Sequence, residues 1–256
     1  MNFEHNGVKL YYELSGEGEQ NVLLLHGWGG STQSWLPVAR DLSAKKRVIN
    51  LDFPGFGKSS EPPAPWSVTE YKDTVLALLN DLKIEKTELI AHSFGGRVAL
   101  MLNEARPALV TRQVLTGCAG LIDTETVSSG GALHALTKLY DNNVSRKLLG
   151  EKGVNRIKNL VRSHFGSEDY KNASPMMREC FQRVVKQDLG YCLKSVKAPT
   201  LLIWGRNDTA TPLWMGQRME KEMADAALIV FENSGHFAYL EQYARFIAIV
   251  KQFLEI

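Results

Sequence analysis

The chain has 256 residues, 44% of them hydrophobic and 23% charged, an ordinary globular composition long enough for one large core or two modest domains. No apolar run approaches the roughly 18–20 residues of a membrane-spanning helix, so no membrane span is expected. With 30 basic and 28 acidic side chains the net charge is only +2, too little for a nucleic-acid binder unless it is concentrated somewhere.

In chain order, Met1 to Gly7 lacks the basic start and apolar core of a secretory signal, and a cytoplasmic location is expected. Two strand-like pieces flank Asn6-Gly7 within Asn2 to Leu14, a strong hairpin signal that predicts an antiparallel opening to the sheet. Val22 to Leu25 is a continuous apolar run closed by a Gly-rich turn, as expected of a strand buried on both faces of a mostly parallel sheet. Ser31 to Leu42 begins with a capping Ser and has helical period. Val48 to Leu51 reads as a strand, and Ser67 to Leu82 as a helix with a Ser cap and Glu70 three residues on. Thr87 to Ala91, the helix Phe94 to Glu104, and Val110 to Leu115 continue the alternation.

Between about Gly120 and Leu193 no strand run appears and the pattern turns helical. Val154 to Phe165 and Ser174 to Gln187 are the clearest segments, the second with Ser174 as cap and Pro175 at the first helical position. Pro199 to Trp204 and Ala227 to Phe231 then restore the strand pattern. The expectation is a doubly wound, mostly parallel α/β sheet, residues 1–119 and 194–256, interrupted by a helical insertion at 120–193. Within the insertion, Lys138 to Lys186 carries eleven Lys/Arg against five Asp/Glu. This reads either as the solvated face of amphipathic helices or as a surface attracting anionic substrates or an acidic partner. Cys118, Cys180 and Cys192 are an odd set without zinc-ligand spacing and read as reduced thiols.

The chemistry concentrates in Ala91-His92-Ser93-Phe94-Gly95-Gly96, directly after a strand and before a helix. A nucleophile on such a sharp turn projects its hydroxyl above the sheet, and the tight backbone needs small residues two before and two after it, here Ala91 and Gly95. A serine hydroxyl needs a base, and the base a carboxylate to fix its tautomer. Asp208 in Gly205-Arg206-Asn207-Asp208 and His236 in Ser234-Gly235-His236-Phe237 both follow strands and lie on the same sheet edge as Ser93. The order Ser, Asp, His is that of nucleophile-elbow enzymes. His5, His26, His92, His134 and His164 lack such a setting. Two oxyanion donors are expected, the amides of Phe94 and of Trp28 in His26-Gly27-Trp28-Gly29-Gly30. His26, Gly27, His92 and Phe237 complete the candidate substrate-binding set. A dinucleotide fingerprint is absent, and Asp52-Phe53-Pro54-Gly55-Phe56-Gly57 reads as a turn.

Taken together, the His26 loop, Asp52 to Ser59, the Ser93 elbow, Pro199 to Gly205 with Asp208, and Gly235-His236 resemble the α/β-hydrolase superfamily from about residue 20 to the end. The resemblance implies that 120–193 is a helical cap over the site and that no metal or organic cofactor is required. Haloalkane dehalogenases and epoxide hydrolases of this superfamily use Asp as nucleophile, where this chain has Ser93. The His-Gly-Trp-Gly loop is similar to that of pimeloyl carrier-protein methyl ester esterases, and a basic cap would suit an acidic carrier protein. Their elbow, however, usually reads Gly-Trp-Ser-Leu-Gly. Carbon–carbon bond hydrolases of ring-cleavage pathways typically carry Trp after the His, where this chain has Phe237. Arg97 stands at a position that is Arg in menaquinone-pathway relatives and in plain esterases alike. The expectation is a serine hydrolase of the carboxylesterase type acting on a small or medium ester. The alternatives are a carbon–carbon bond hydrolase of the ring-cleavage type or a carrier-protein methyl ester esterase and, third, a non-catalytic ligand receptor.

Overall fold

The computed structural model describes residues 1–122 and 173–256. The chain divides into two units, one of Met1–Leu121 with Ser174–Ile256 and one of Ile122–Ala173. The expected helix Val154 to Phe165, His134, His164 and most of the basic stretch lie outside the described residues.

An eight-stranded sheet organises the first unit: β1 (Asn2–His5), β2 (Val8–Ser15), β3 (Asn21–Leu25), β4 (Arg47–Leu51), β5 (Thr87–His92), β6 (Val110–Thr116), β7 (Thr200–Gly205) and β8 (Ala226–Phe231). Its order is β1-β2-β4-β3-β5-β6-β7-β8, with β1, β2 and β4 paired antiparallel and all later pairs parallel. The opening hairpin turns on Asn6 and Gly7, at φ 48° and 77°, the left-handed pair that a two-residue turn requires. Strands β3, β4 and β5 are buried almost throughout because helices cover both faces, which is why they read as largely apolar runs, with Asn50 in β4 and Thr87, Glu88 and His92 in β5 as buried polar exceptions.

One face packs on α1 (Leu36–Leu42), a short α6 (Ala238–Glu241) and α7 (Tyr243–Phe253). There Trp35, Tyr239 and Phe246 close over Val22, Leu24, Ile90 and Val114. The other face carries α2 (Val68–Asp81), α3 (Phe94–Ala105) and α5 (Leu213–Glu222). The capping box expected at Ser67 forms, Glu70 accepting from the Ser67 amide at 2.7 Å. Ser31 also caps, but it starts a 3₁₀ turn (Thr32–Trp35) rather than an α-helix. Pro37 explains the difference: its ring would clash with the carbonyl four residues back, so regular helix begins only around it.

Helix α4 (Pro175–Val185) has the expected Ser174 cap, which accepts from the Met177 amide at 3.1 Å. Buried Arg97 of α3 holds the other end, its Nη1 donating to the carbonyls of Val184 at 2.9 Å and Gln187 at 2.8 Å. A cation at a helix C-terminus satisfies orphan carbonyls and suits the dipole. Burial pulls the Arg97 guanidinium down to about 10, which leaves it charged at neutral pH. Among the described residues no helix is long and apolar enough to cross a membrane.

Candidate active site

The strand order reverses direction between β3 and β5: the chain leaves β3 toward β4 on one side, and β5 lies on the other. Open α/β sheets form a crevice at such a point, beyond the carboxyl ends of the strands. The loop His26–Gly30 follows β3 and Ser93 follows β5, so both candidate parts of the site flank this crevice. A Cβ on Gly27 would stand 2.7 Å from His92 Nδ1 and 3.4 Å from Ser93 Cβ, which shows how closely the two loops approach.

Ser93 has φ 50° and ψ −108°, a conformation that costs a non-glycine residue on the order of 1–3 kcal/mol. Neighbours impose it. The Ser93 amide donates to Thr116 O at 3.1 Å, and Ser93 O accepts from the amides of Gly96 at 3.0 Å and Ala119 at 3.1 Å. Gly95 permits the turn, since a Cβ there would lie 2.3 Å from the carbonyl oxygen of Leu25. Ser93 remains partly exposed amid buried neighbours, with α3 running away from it and its positive end toward the hydroxyl.

Asp208 and His236 meet as the sequence predicts. His236 Nδ1 lies 2.9 Å from Asp208 Oδ2, the Asp side chain fully buried and the His side chain 18% exposed. The carboxylate is held from four directions: Oδ1 accepts from the amides of Ala210 and Thr211, both at 2.9 Å, and Oδ2 accepts from the Thr211 hydroxyl at 2.8 Å besides His236. Burial alone would raise this carboxyl, but the bond and charge of His236 and the Thr211 contacts hold it below the usual carboxylate range. Asp208 therefore acts both as a turn cap and as the partner of the imidazole. Among the described residues Ser93 Oγ makes no hydrogen bond, so its link to His236 is one of placement on the same edge.

The two buried histidines beside Ser93 are neutral. His26 Nε2 accepts from the Phe53 amide at 2.9 Å, which places its proton on Nδ1, bonded to Gly27 O at 2.7 Å; burial lowers its pKa to about 4. Both nitrogens are thus engaged in shaping the Gly27–Gly30 loop. His92 Nε2 donates to the His236 carbonyl at 3.0 Å, and burial, followed by the charge of His236, lowers its pKa to about 3. Its ring lies 4.7 Å from that of His236 and 5.1 Å from Phe237, which is half exposed.

Trp28 and Phe94 pack edge to face, ring centroids 5.2 Å apart, and Trp28 also meets Phe56 and Phe181 at 4.8 and 5.1 Å. Neither amide donates to a protein acceptor among the described residues. Sequence reasoning missed Thr211. Its only signal was its place three residues after Asp208, the spacing at which an aspartate caps a following amide. Among the described residues no group of three or more His, Cys, Asp or Glu could hold a metal ion, and the three cysteines are unpaired and buried.

A profile of the alpha/beta hydrolase family matches residues 22–249. The chain belongs to the alpha/beta hydrolase family. This hydrolase is 29% identical, over 97% of its own length and 92% of the relative's, to 2-hydroxy-6-oxononadienedioate/2-hydroxy-6-oxononatrienedioate hydrolase 2 of Pseudomonas putida. Among solved structures, the meta-cleavage product hydrolase CumD of Pseudomonas fluorescens IP01 superposes with a TM-score of 0.73 at 27% identity, covering all of this chain and 97% of that one. Est816, an N-acyl homoserine lactone degrading enzyme, gives 0.71 at 25% identity, covering 99% of this chain and 100% of its own.

Proposed function

We propose that this alpha/beta hydrolase is a serine esterase that cleaves a small or medium carboxylic ester through an acyl-enzyme. The observation that carries the reading is the 2.9 Å contact between His236 Nδ1 and buried Asp208, on the sheet edge where Ser93 is held at φ 50°. Asp208 keeps the imidazole proton on Nδ1, so Nε2 is free to take the Ser93 proton as Oγ attacks the ester carbonyl. His236 then gives that proton to the departing alcohol. Water, deprotonated by His236, attacks the acyl-enzyme, and His236 returns that proton to Ser93 Oγ as the acyl–oxygen bond breaks and the acid leaves. The free amides of Trp28 and Phe94 stabilise the oxyanion, and loss of one such donor typically costs about 2.7–4 kcal/mol of barrier. The edge-to-face packing of their rings fixes both amides, and the half-buried faces of Trp28, Phe56 and Phe181 suit an apolar acyl group. His26 and Gly27 support this reading by shaping the donor loop, and His92 by anchoring the His236 backbone.

Carbon–carbon bond hydrolysis is the second reading, favoured by the 29% identity to the Pseudomonas putida hydrolase. Phe237 after His236 speaks for the ester. Treatment with a fluorophosphonate probe followed by digestion is expected to label Ser93; a label elsewhere, or none, overturns the triad. Short p-nitrophenyl esters assayed beside a vinylogous ring-cleavage diketone then separate the two reactions by relative kcat/KM. A kcat/KM for a carboxylate-bearing ester that falls with ionic strength would support steering by the basic stretch, and with it an acidic carrier protein as partner.

A further inference from the structure

We infer that Thr211 is a positioning residue of the Asp208–His236 pair, its hydroxyl setting both the orientation of the imidazole and the strength with which the carboxylate holds the imidazole proton. The inference deepens the proposed triad and rests on it. Thr211 is 4% exposed, and its Oγ1 lies 2.8 Å from Asp208 Oδ2, 3.0 Å from Gly117 O and 3.2 Å from His236 Nδ1. A hydroxyl has one hydrogen and two lone pairs. The hydrogen faces the carboxylate and the Gly117 carbonyl, and a lone pair faces the Nδ1 proton of His236. The same residue's amide donates to Asp208 Oδ1 at 2.9 Å, so one residue grips both oxygens of the carboxylate. This leaves the carboxylate no other rotamer that keeps its bonds and gives the imidazole a single plane in which to lie.

The two contacts of the hydroxyl pull the His236 proton affinity in opposite directions, and magnitude decides between them. Donation to the carboxylate draws charge from Oδ2 and weakens its hold on the imidazolium, whereas acceptance from Nδ1–H strengthens that hold. Both contacts are charge-assisted once the ring is protonated, but the one to the carboxylate has the usual length of a strong O–H···O bond at 2.8 Å, whereas the one to Nδ1 is long for N–H···O at 3.2 Å and so the weaker. The hydroxyl's net effect is therefore to lower the proton affinity of His236. Among the described residues the titratable groups around His236 are Asp208, at 2.9 Å, and His92, whose Nε2 bonds the His236 carbonyl, with Glu241 of α6 accepting from the adjacent Gly235 amide at 2.8 Å. Thr211 adds no charge of its own.

The test compares Thr211→Val, which keeps the shape and removes the hydroxyl, with Thr211→Ser, which keeps the hydroxyl. In Thr211→Val, kcat for a p-nitrophenyl ester is expected to fall about tenfold with KM nearly unchanged, the size of one charge-assisted hydrogen bond. The acid limb of kcat/KM, and the NMR titration of the His236 ring, are expected to move up by about half a pH unit. Thr211→Ser is expected to restore both. An unmoved His236 titration in Thr211→Val, or the same shift in Thr211→Ser, overturns the inference. If Thr211→Val does not fold, Thr211→Ala against Thr211→Ser reads the same contrast. The ring titration needs no substrate, so the two readings fail separately. A wild-type protein that is not labelled at Ser93 sinks the triad, whereas a labelled protein with an unmoved titration sinks only the role of Thr211.

Discussion

Asp208→Asn is the substitution on which the geometry speaks most directly. All four neighbours of the carboxylate are donors: the amides of Ala210 and Thr211 at Oδ1, and His236 Nδ1–H and the Thr211 hydroxyl at Oδ2. An amide has only one acceptor oxygen to offer. If that oxygen keeps the two backbone amides, the new NH₂ faces His236 and forces the imidazole to accept at Nδ1. The ring proton then sits on Nε2, where it blocks the transfer from Ser93 that the proposed triad requires. If the amide flips, its NH₂ faces two backbone N–H groups in a fully buried position, and both bonds are lost. The first arrangement leaves fewer buried donors unpaired and is expected to prevail. The wrong tautomer lowers kcat by about 10⁴, or about 5.5 kcal/mol of barrier. The assay is kcat on a p-nitrophenyl ester beside the rate of fluorophosphonate labelling at Ser93, with thermal unfolding to show that the variant is folded. A folded Asp208→Asn protein that keeps activity within tenfold of wild type refutes the argument.

Three further outcomes follow from other parts of the unit. His26 and His92 titrate near 4 and 3 when folded, below their unfolded value of 6.5, so the unfolded chain binds more protons below that pH. Their contribution is complete above pH 6.5 and lost as pH falls toward 4 and 3; urea unfolding at pH 7.5 and 5.0 is expected to differ by about 4 kcal/mol from these two groups, and a difference under about 1 kcal/mol refutes their burial as neutral rings. Arg97→Met removes the donors to Val184 O and Gln187 O and is expected to lower unfolding free energy by about 2–4 kcal/mol, read by denaturant titration; a loss below about 1 kcal/mol shows that water replaces the guanidinium. Ser93→Gly relieves the strain at φ 50° and is expected to raise stability by about 1 kcal/mol while abolishing activity, whereas Ser93→Ala keeps the strain; equal melting temperatures for the two variants would argue against a strained elbow.

The parts that local sequence rules describe are the parts the residues announced. Strands β3, β4, β5 and β7 are legible because burial on both faces selects mainly apolar residues, with only scattered buried polar ones such as Asn50 and Glu88, and the helices at Ser67 and Ser174 because their caps are set within three residues. Ser93, Asp208 and His236 are legible from strand-end context. Contacts across long sequence separations were not. Arg97 reads as a residue common to several kinds of relative, and no local pattern records that its described bonds go to carbonyls 87 and 90 residues away. His26 reads as a substrate contact by position, whereas burial and the Phe53 amide commit both its nitrogens to the loop. No local pattern records that the hydroxyl of Thr211 reaches Asp208, His236 and Gly117 at once.

The neutrality of His92 has a consequence for the charge that develops during the reaction. In the proposed mechanism His236 becomes an imidazolium when it takes the serine proton, and its ring centroid is 4.7 Å from that of His92. A second positive charge at that distance would oppose the first by about 3–4 kcal/mol at an effective dielectric near 20, comparable to the loss of an oxyanion donor. Burial prevents this by holding His92 unprotonated until about pH 3, while its Nε2–H still bonds the His236 carbonyl. A lysine or arginine in its place would supply a donor but also the opposing charge, and a leucine would remove the bond. A buried imidazole meets both requirements, and among the described residues it leaves Asp208 as the one carboxylate bonded to the imidazolium.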